Sequence, residues 1–295
     1  MALVPLSRLL EAARAGGYAI GYFEAWDMYS LEAVAEAAEA ERSPVVLGFG
    51  GMMMDPPWLD RFGIEPLGAY GRVVAERLGV PAALILNEVW ELEHARRGVV
   101  AGFNVVMLNT CELPLERNVE LTRDLVGFAH PRGVEVQAEL GRLPNFGEDD
   151  PGELTDPDQA REFVAQTGVD FLAVSVGNVH LQTEGAAGVD HERLRAIRRA
   201  VDVPLVIHGG SGLAEETVAA LIGEGVTLFH VGTVMKRRFL DSVDRLEPVH
   251  REPVPRVQHV VGSRKPDDFL LPGKATVTEC VRSLMRRYGS SGRAA

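Results

Sequence analysis

Eight short apolar runs alternate with helical patterns along this chain, and this alternation limits the possible fold more than any other feature of the sequence. The runs are rich in Val, Ile, Leu and Phe, which is typical of strands buried on both faces in a parallel sheet. The predicted strands are Tyr18–Phe23, Pro44–Gly50, Pro81–Asn87, Val105–Asn109, Val134–Gly141, Phe171–Gly177, Pro204–Gly210 and Thr227–Thr233. Eight such units in 295 residues predict an α/β fold of the closed (β/α)8 TIM-barrel type rather than an open sheet.

Helical patterns fill the gaps between the runs. Ser30–Arg42 begins at a plausible N-cap, and the later segments Pro114–His130, Asp190–Val201 and Ala214–Gly225 follow the same helical spacing. The connections between the predicted strands are therefore predicted to be helices.

Two segments interrupt this alternation. Gly51–Glu65 is predicted to be a long loop after the second strand, serving as a lid, an oligomer contact or a simple cover for the core. His250–Gly273 is rich in Pro and charge and precedes a last predicted helix, Lys274–Tyr288. No boundary divides the chain, so residues 1–295 are predicted to be one domain with a C-terminal helical extension from about residue 250.

Composition excludes several classes of partner. A net charge of −12 argues against nucleic acid, because binding a phosphate backbone needs clustered Lys and Arg. No segment approaches the roughly 18 apolar residues needed to cross a membrane, and the N-terminus is not a signal peptide. The two cysteines, Cys111 and Cys280, have no metal-binding or redox spacing. Free thiols and a cytoplasmic location are therefore expected.

Polar residues are concentrated at the C-terminal ends of the predicted strands, where barrel enzymes carry their active sites. His180 and His208 end two neighbouring strands, so their imidazoles could converge on one ion. Glu88 and Glu24 could supply oxygen ligands, and two His with one carboxylate is a known catalytic zinc pattern. The alternatives are structural histidines and glutamates that pair with a nearby Arg or Lys.

The run His-Gly-Gly-Ser-Gly, at 208–212, follows the seventh predicted strand and opens a predicted helix. Glycines allow backbone N–H groups to approach an anion, and a helix N-terminus favours negative charge. Such a run can also be a simple turn. Its position favours anion binding, because barrel phosphate sites lie in the loops after strands 7 and 8.

Several longer motifs carry a resemblance that runs nearly from end to end. They are LLEAARAGGYAIGYF, SLEAVAEAAEAERSPVVL, AGFNVVMLNTCELPLERNVELTRDLVGFAHPRGVEVQAELGRL, GNVH, VPLVIHGGSGL and MRRYGSSGRA. With them the chain resembles the class II, metal-dependent fructose-bisphosphate and tagatose-bisphosphate aldolases. That resemblance implies a divalent metal, usually zinc, held by three histidines. Two of these match His180 and His208, whereas Glu88 stands in place of the third and Asn87 in place of the catalytic aspartate.

The resemblance also implies how the substrate is held. Gly209, Ser211 and Thr233 match phosphate-binding positions of the family, and His230 replaces an asparagine that helps to bind phosphate. Glu24 replaces an asparagine near the end of the first strand. Because an amide cannot carry a proton as an aspartate does, Asn87 argues against the family's ordinary route of fructose-bisphosphate cleavage.

These observations predict a metal-dependent, aldolase-like carbon–carbon lyase with an altered active site, acting on a ketose phosphate or related sugar. Its predicted metal is Zn²⁺ on His180, His208 and Glu88, and Glu184 or Glu24 is its predicted general acid or base. The alternatives are a metal-dependent isomerase, epimerase or hydrolase, and a non-catalytic barrel that binds sugar phosphates. The family resemblance further implies a homo-oligomer, either a dimer or a tetramer.

Overall fold

A closed barrel of eight parallel strands forms the centre of the molecule, in which the first strand pairs with the last. The computed structural model describes residues 3–145, 147, 151–180, 188–244 and 257–294. Its strands are β1 (Ile20–Phe23), β2 (Val45–Gly50), β3 (Ala82–Val89), β4 (Val105–Leu108), β5 (Glu135–Leu140), β6 (Phe171–Val174), β7 (Leu205–Ile207) and β8 (Val226–Val231). Each predicted strand is present, and the predicted (β/α)8 barrel is confirmed.

Helices connect the strands and surround the barrel. They are α1 (Leu6–Gly16), α2 (Met28–Glu41), α3 (Pro56–Trp58), α4 (Ile64–Arg77), α5 (Leu92–Ala101), α6 (Leu115–Ala129), α7 (Pro157–Thr167), α8 (His191–Ala200), α9 (Glu215–Gly223), α10 (Thr233–Asp244), α11 (Val257–Val260) and α12 (Leu271–Arg287). Among the described residues, no helix combines the length and the apolar character that crossing a membrane would require.

The start of α2 differs from the prediction. Asp27, rather than Ser30, is the N-cap residue, and its carboxylate accepts a 2.7 Å hydrogen bond from the Ser30 backbone N–H. The Ser30 hydroxyl in turn accepts a 2.9 Å hydrogen bond from the Asp27 N–H. This reciprocal capping box begins the helix earlier than a single Ser N-cap would.

The segment after β2 is helical, so the prediction of a long loop there is wrong. A 3₁₀ turn at Gly51–Met53 is followed by α3, and a π-helical turn at Leu59–Gly63 leads into α4. The Asp55 carboxylate caps α3 by accepting a 3.1 Å hydrogen bond from the Trp58 N–H. Leu59 is fully buried in the core around the barrel, so the segment covers the core.

The N-terminal segment closes one end of the barrel. Leu6 and Leu10 of α1 pack against inward-facing strand residues such as Ile85. The Val4 N–H donates a 3.0 Å hydrogen bond to the carbonyl of Ala82 at the start of β3. Among the described residues, this end of the barrel is filled with apolar side chains, so the polar pocket lies at the C-terminal ends of the strands.

The last helix, α12, packs on α2 and α10, and the chain after it continues along the end of α2. Tyr288 is buried, and its ring stacks on Phe229 of β8 with 4.8 Å between ring centroids. Beyond it, the Gly292 N–H donates a 2.8 Å hydrogen bond to the carbonyl of Glu41. The C-terminal segment is thus joined to the barrel core and to α2.

A cluster of ionic hydrogen bonds joins α12 to the end of α2. The Glu41 carboxylate accepts hydrogen bonds from Arg286 at 2.6 Å, from Arg282 at 2.9 Å and from the Ser291 hydroxyl at 2.9 Å. The hydrogen bond from Arg286, supported by those from Ser291 and Arg282, lowers the pKa of Glu41 to about 2 despite its burial.

This shift predicts a pH dependence of stability. A carboxylate whose pKa is lower in the folded chain stabilises that state above its ordinary pKa of 4.5. The stabilisation is lost as the pH falls toward about 2. We expect Glu41→Gln to lower the free energy of unfolding by about 1–3 kcal/mol at pH 7 and by less at pH 3. Urea unfolding at both pH values measures this, and an equal loss at both would contradict it.

Candidate active site

One pocket at the C-terminal ends of the strands brings together the described residues that the sequence singled out. A cavity of about 310 Å³ offers room for a small sugar phosphate. Its lining includes Glu24, Asn87, Glu88, His180, His208, Gly209, Ser211, His230 and Thr233. Glu184, a predicted acid or base, lies outside the described residues.

A bulge in β3 presents Glu88 to this pocket. The strand was predicted to end at Asn87 but continues to Val89, and its register with β4 shifts between Leu86 and Val89. Within the bulge Glu88 has a φ of +50°, which costs a non-glycine residue roughly 1–3 kcal/mol. Because such strain persists where function requires it, the conformation supports a functional role for the Glu88 carboxylate.

Asn87 is almost fully buried and acts on Glu88. Its side-chain N–H donates a 2.6 Å hydrogen bond to Glu88 Oε2. An aspartate at this position would place a second negative charge against Glu88, whereas the amide orients the carboxylate. This hydrogen bond supports a positioning role for Asn87, which stands where the family resemblance implies the catalytic aspartate.

His208 lies between two buried carboxylates. Its Nδ1 is 3.1 Å from Glu139 Oε2 and 3.4 Å from Glu88 Oε1. Burial opposes the charged ring, but Glu88 and Glu139 outweigh it and raise the pKa of His208 to about 10. Burial would likewise raise the pKa of Glu88, but the charge of His208 reverses this and lowers it to about 2. Opposite charges thus compensate one another at the base of the pocket.

Glu88, Glu139, His180 and His208 form a cluster that could hold a metal ion. One ligand atom from each residue lies within 4.8 Å of the others. The rings of His180 and His208 stack with 5.7 Å between centroids. Sequence reasoning placed Glu139 on the fifth strand but missed it as a ligand.

The chemistry of the donor set tests whether a metal fits. His208 Nδ1 and Glu139 Oε2 form a buried ion pair at 3.1 Å without the geometry of a regular hydrogen bond. An imidazole nitrogen and a carboxylate oxygen are both typical ligands of divalent zinc. His208 Nε2 lies 3.1 Å from the side-chain nitrogen of Gln137. The donor set therefore fits a divalent cation.

The turn after β7 lies beside the start of α10, where the sequence predicted an anion-binding site. Gly209 has a φ of +69°, and a Cβ there would collide with the Val179 carbonyl, so only glycine is tolerated. The Ser211 hydroxyl accepts a 3.3 Å hydrogen bond from the Val234 N–H in the first turn of α10, which begins at Thr233. A 3₁₀ turn of glycines beside a helix N-terminus directs N–H groups at an anion.

An ion pair forms another part of the pocket wall. Lys236 of α10 donates a short hydrogen bond to the Glu24 carboxylate. Burial raises the pKa of Glu24, although Lys236 opposes the shift. A Cβ at Gly50 would collide with this carboxylate, and Gly232 lies on its other side. Sequence reasoning found Glu24 but missed Lys236, because only strand ends were considered and Lys236 is on a helix.

Two aromatic residues in edge-to-face contact lie at the bottom of the pocket. Tyr22 and His230, on neighbouring strands, make an edge-to-face contact with 4.6 Å between centroids, and His230 also stacks on His208 at 4.3 Å. Burial, together with His208 and His180, holds the pKa of His230 well below its ordinary value. His230 is thus an uncharged ring. Tyr22 was missed because it lies inside an apolar strand.

Comparison with known proteins identifies the family to which the chain belongs. A sequence profile described as "Fructose-bisphosphate aldolase class-II" matches residues 4–293. The chain belongs to the class II fructose-bisphosphate aldolase family. This match confirms the resemblance that the sequence motifs indicated. It supports an aldolase-like lyase as the general class of activity.

Relatives of the class II aldolase family match the whole chain. A fructose-bisphosphate aldolase of Geobacillus stearothermophilus is 32% identical over 298 aligned residues, which cover 100% of both chains. The crystal structure of the YdjI aldolase from Escherichia coli K12 has a TM-score of 0.80 at 27% identity, covering 99% of this chain and 100% of that one. A putative fructose-1,6-biphosphate aldolase from Coccidioides immitis has a TM-score of 0.83 at 27% identity, covering 97% and 96%.

Proposed function

We propose that the chain is a metal-dependent, aldolase-like lyase that cleaves a carbon–carbon bond of a ketose phosphate or related sugar. One observation carries the proposal. In a class II aldolase barrel, the side-chain N and O atoms of Glu88, Glu139, His180 and His208 lie within 4.8 Å of one another, in a pocket that also contains Gly209 and Ser211 of the turn predicted to bind an anion.

His180, His208 and Glu88 would hold the metal, and Glu139 would complete the set. When bound, a divalent ion supplies Lewis-acid polarisation of a carbonyl oxygen. Asn87 keeps Glu88 oriented through its 2.6 Å hydrogen bond. Because Glu88 is anionic where the family has a neutral histidine, this site would carry one more negative charge than the family pattern.

Phosphate binding would fix the substrate in the pocket. Gly209 provides the close approach of the backbone, the Ser211 side chain lies against the start of α10, and Thr233 begins that helix. N–H groups here meet a phosphate with favourable dipoles and little reorganisation. Phosphate binding would thereby place the ketose carbonyl relative to the proposed metal ligands.

Proton transfer would come from Glu24. Asn87 cannot carry a proton, whereas burial raises the pKa of Glu24 and so favours proton uptake by this carboxyl. Lys236, hydrogen-bonded to Glu24, keeps the carboxyl in place at the pocket wall. Glu184 stays a predicted alternative outside the described residues. Proton transfer would thus occur on the β1 side of the pocket.

The proposal predicts about one divalent ion per chain and aldol cleavage that depends on it. Elemental analysis of the purified protein measures the ion, and a panel of ketose 1-phosphates and bisphosphates measures cleavage. Chelation should lower kcat/KM by at least about 100-fold, since a metal contributes several kcal/mol of charge stabilisation, and returning the ion should restore it.

Other outcomes would contradict the proposal. Exchange of substrate protons in deuterated water without cleavage would favour an isomerase or epimerase. Phosphate-ester binding without any turnover would favour a non-catalytic barrel. Zinc as the ion, a dimeric or tetrameric assembly and a cytoplasmic location stay predictions.

A further inference from the structure

Unpaired polar atoms are concentrated at the bottom of the pocket, beside the proposed metal ligands. Tyr22 is 1% exposed and His230 is 6% exposed. The Tyr22 hydroxyl, both ring nitrogens of His230 and Asn87 Oδ1 have no hydrogen-bond partner among the described residues. All three residues line the pocket. Buried polar groups are normally paired, so their concentration here indicates a polar ligand.

The types of these atoms define the ligand chemistry. A neutral imidazole has one nitrogen that donates and one that accepts, a tyrosine hydroxyl can do both, and an amide oxygen only accepts. A ligand hydroxyl can both donate and accept, and so can satisfy such a mixed set. A second phosphate would fit poorly, because the carboxylates of Glu24 and Glu88 line the same pocket as Tyr22.

The location of these atoms indicates which hydroxyl of the substrate they would bind. The His230 ring stacks on His208 at 4.3 Å between centroids and on the edge of Tyr22 at 4.6 Å. His208 is a proposed ligand of the ion that polarises the ketose carbonyl. A hydroxyl bound by Tyr22 and His230 would therefore lie close to that carbonyl.

Building on the proposed function, we propose that Tyr22, held by the stacked ring of His230, is a specificity-determining residue that hydrogen-bonds the substrate hydroxyl next to the reacting carbonyl. Tyr22 selects substrates that carry this hydroxyl and disfavours the corresponding deoxy sugars. Its Oη is otherwise left buried and unpaired, which makes a ligand without the hydroxyl bind less well.

The test uses two small probes and the metal-loaded protein. Cleavage of a ketose 1-phosphate releases dihydroxyacetone phosphate, and hydroxyacetone phosphate is the same molecule without the hydroxyl. Calorimetric titration should show that the unaltered protein binds dihydroxyacetone phosphate at least about 10-fold more tightly. Tyr22→Phe should weaken that binding about 3–30-fold and leave hydroxyacetone phosphate within about 2-fold.

Tyr288→Phe is the matched control, because it also removes a buried hydroxyl without a described partner but lies outside the pocket lining. It should keep the discrimination of the unaltered protein. His230→Leu, a second variant, should reduce the discrimination because Tyr22 loses its stacked neighbour. Circular dichroism reports whether each variant is folded.

The outcomes separate two failures. If the metal-loaded protein binds neither probe, both the proposed function and the role of Tyr22 are wrong. Where both probes bind equally well, or Tyr22→Phe keeps the full discrimination, only the role of Tyr22 is wrong. The role of Tyr22 is supported if Tyr22→Phe no longer discriminates between dihydroxyacetone phosphate and hydroxyacetone phosphate while Tyr288→Phe still does.

Discussion

His180→Ala is expected to lower the bound metal from about one ion per chain to less than about 0.1, and kcat/KM by at least about 10³-fold. The substitution removes one of the two nitrogen ligands of the proposed site. His180 is only partly buried, so its loss leaves the packing of the barrel largely intact. The two buried carboxylates, Glu88 and Glu139, still have His208 within 3.4 Å and 3.1 Å.

Elemental analysis and steady-state cleavage of the best ketose phosphate measure these effects. His130→Ala is the control, because His130 follows α6 at the opposite end of the barrel and pairs with Asp170 at 2.9 Å. That variant should keep its metal and stay within about 3-fold of the original kcat/KM. Full metal occupancy in His180→Ala would show that His180 is not a ligand of the ion.

The second large effect concerns stability. Tyr288→Ala should lower the free energy of unfolding by about 3–5 kcal/mol, as for other large aromatic residues removed from a core. Tyr288 is 1% exposed, and its ring stacks on Phe229 of β8 and Phe23 of β1. A cavity there would separate the C-terminal segment from two neighbouring strands. Urea unfolding followed by circular dichroism measures the change.

Tyr288→Phe isolates the ring from its hydroxyl. The hydroxyl is buried without a partner among the described residues, and removing such a group is nearly neutral or stabilising. We expect a change within about 1 kcal/mol in either direction. A Phe variant as unstable as the Ala variant would mean that the hydroxyl, rather than the stacking, stabilises this region.

Much of the fold could be predicted because buried parallel strands are apolar throughout. Runs of Val, Ile and Leu predict the position of each strand. The residues at which a strand begins and ends depend on hydrogen bonds to the neighbouring strands, which a single sequence does not show. β7 was therefore predicted to run to Gly210, but its pairing ends at Ile207. The segment after β2 was misread because its Pro, Gly and Met content is typical of a loop, although Asp55 caps a helical turn there.

The sequence predicted those site residues that lie at the C-terminal ends of the strands. His180, His208 and Glu88 were found in this way, and all three line one pocket. Tyr22 and Glu139 were missed as site residues because each lies within a strand, where inward-facing residues normally only fill the barrel. The bulge that turns Glu88 toward His208 depends on the register between β3 and β4, which is a property of strand pairing rather than of local composition.

The close approach of Glu24 to Gly50 makes the residues at these two positions depend on each other. A side chain at position 50 would occupy the volume of the Glu24 carboxylate, so Glu24 would have to move away from its contact with Lys236. Across the relatives, sequences with a bulkier residue at position 50 should carry a shorter one at position 24. Substituting Glu24 into such a relative should then require glycine at position 50 in the same step.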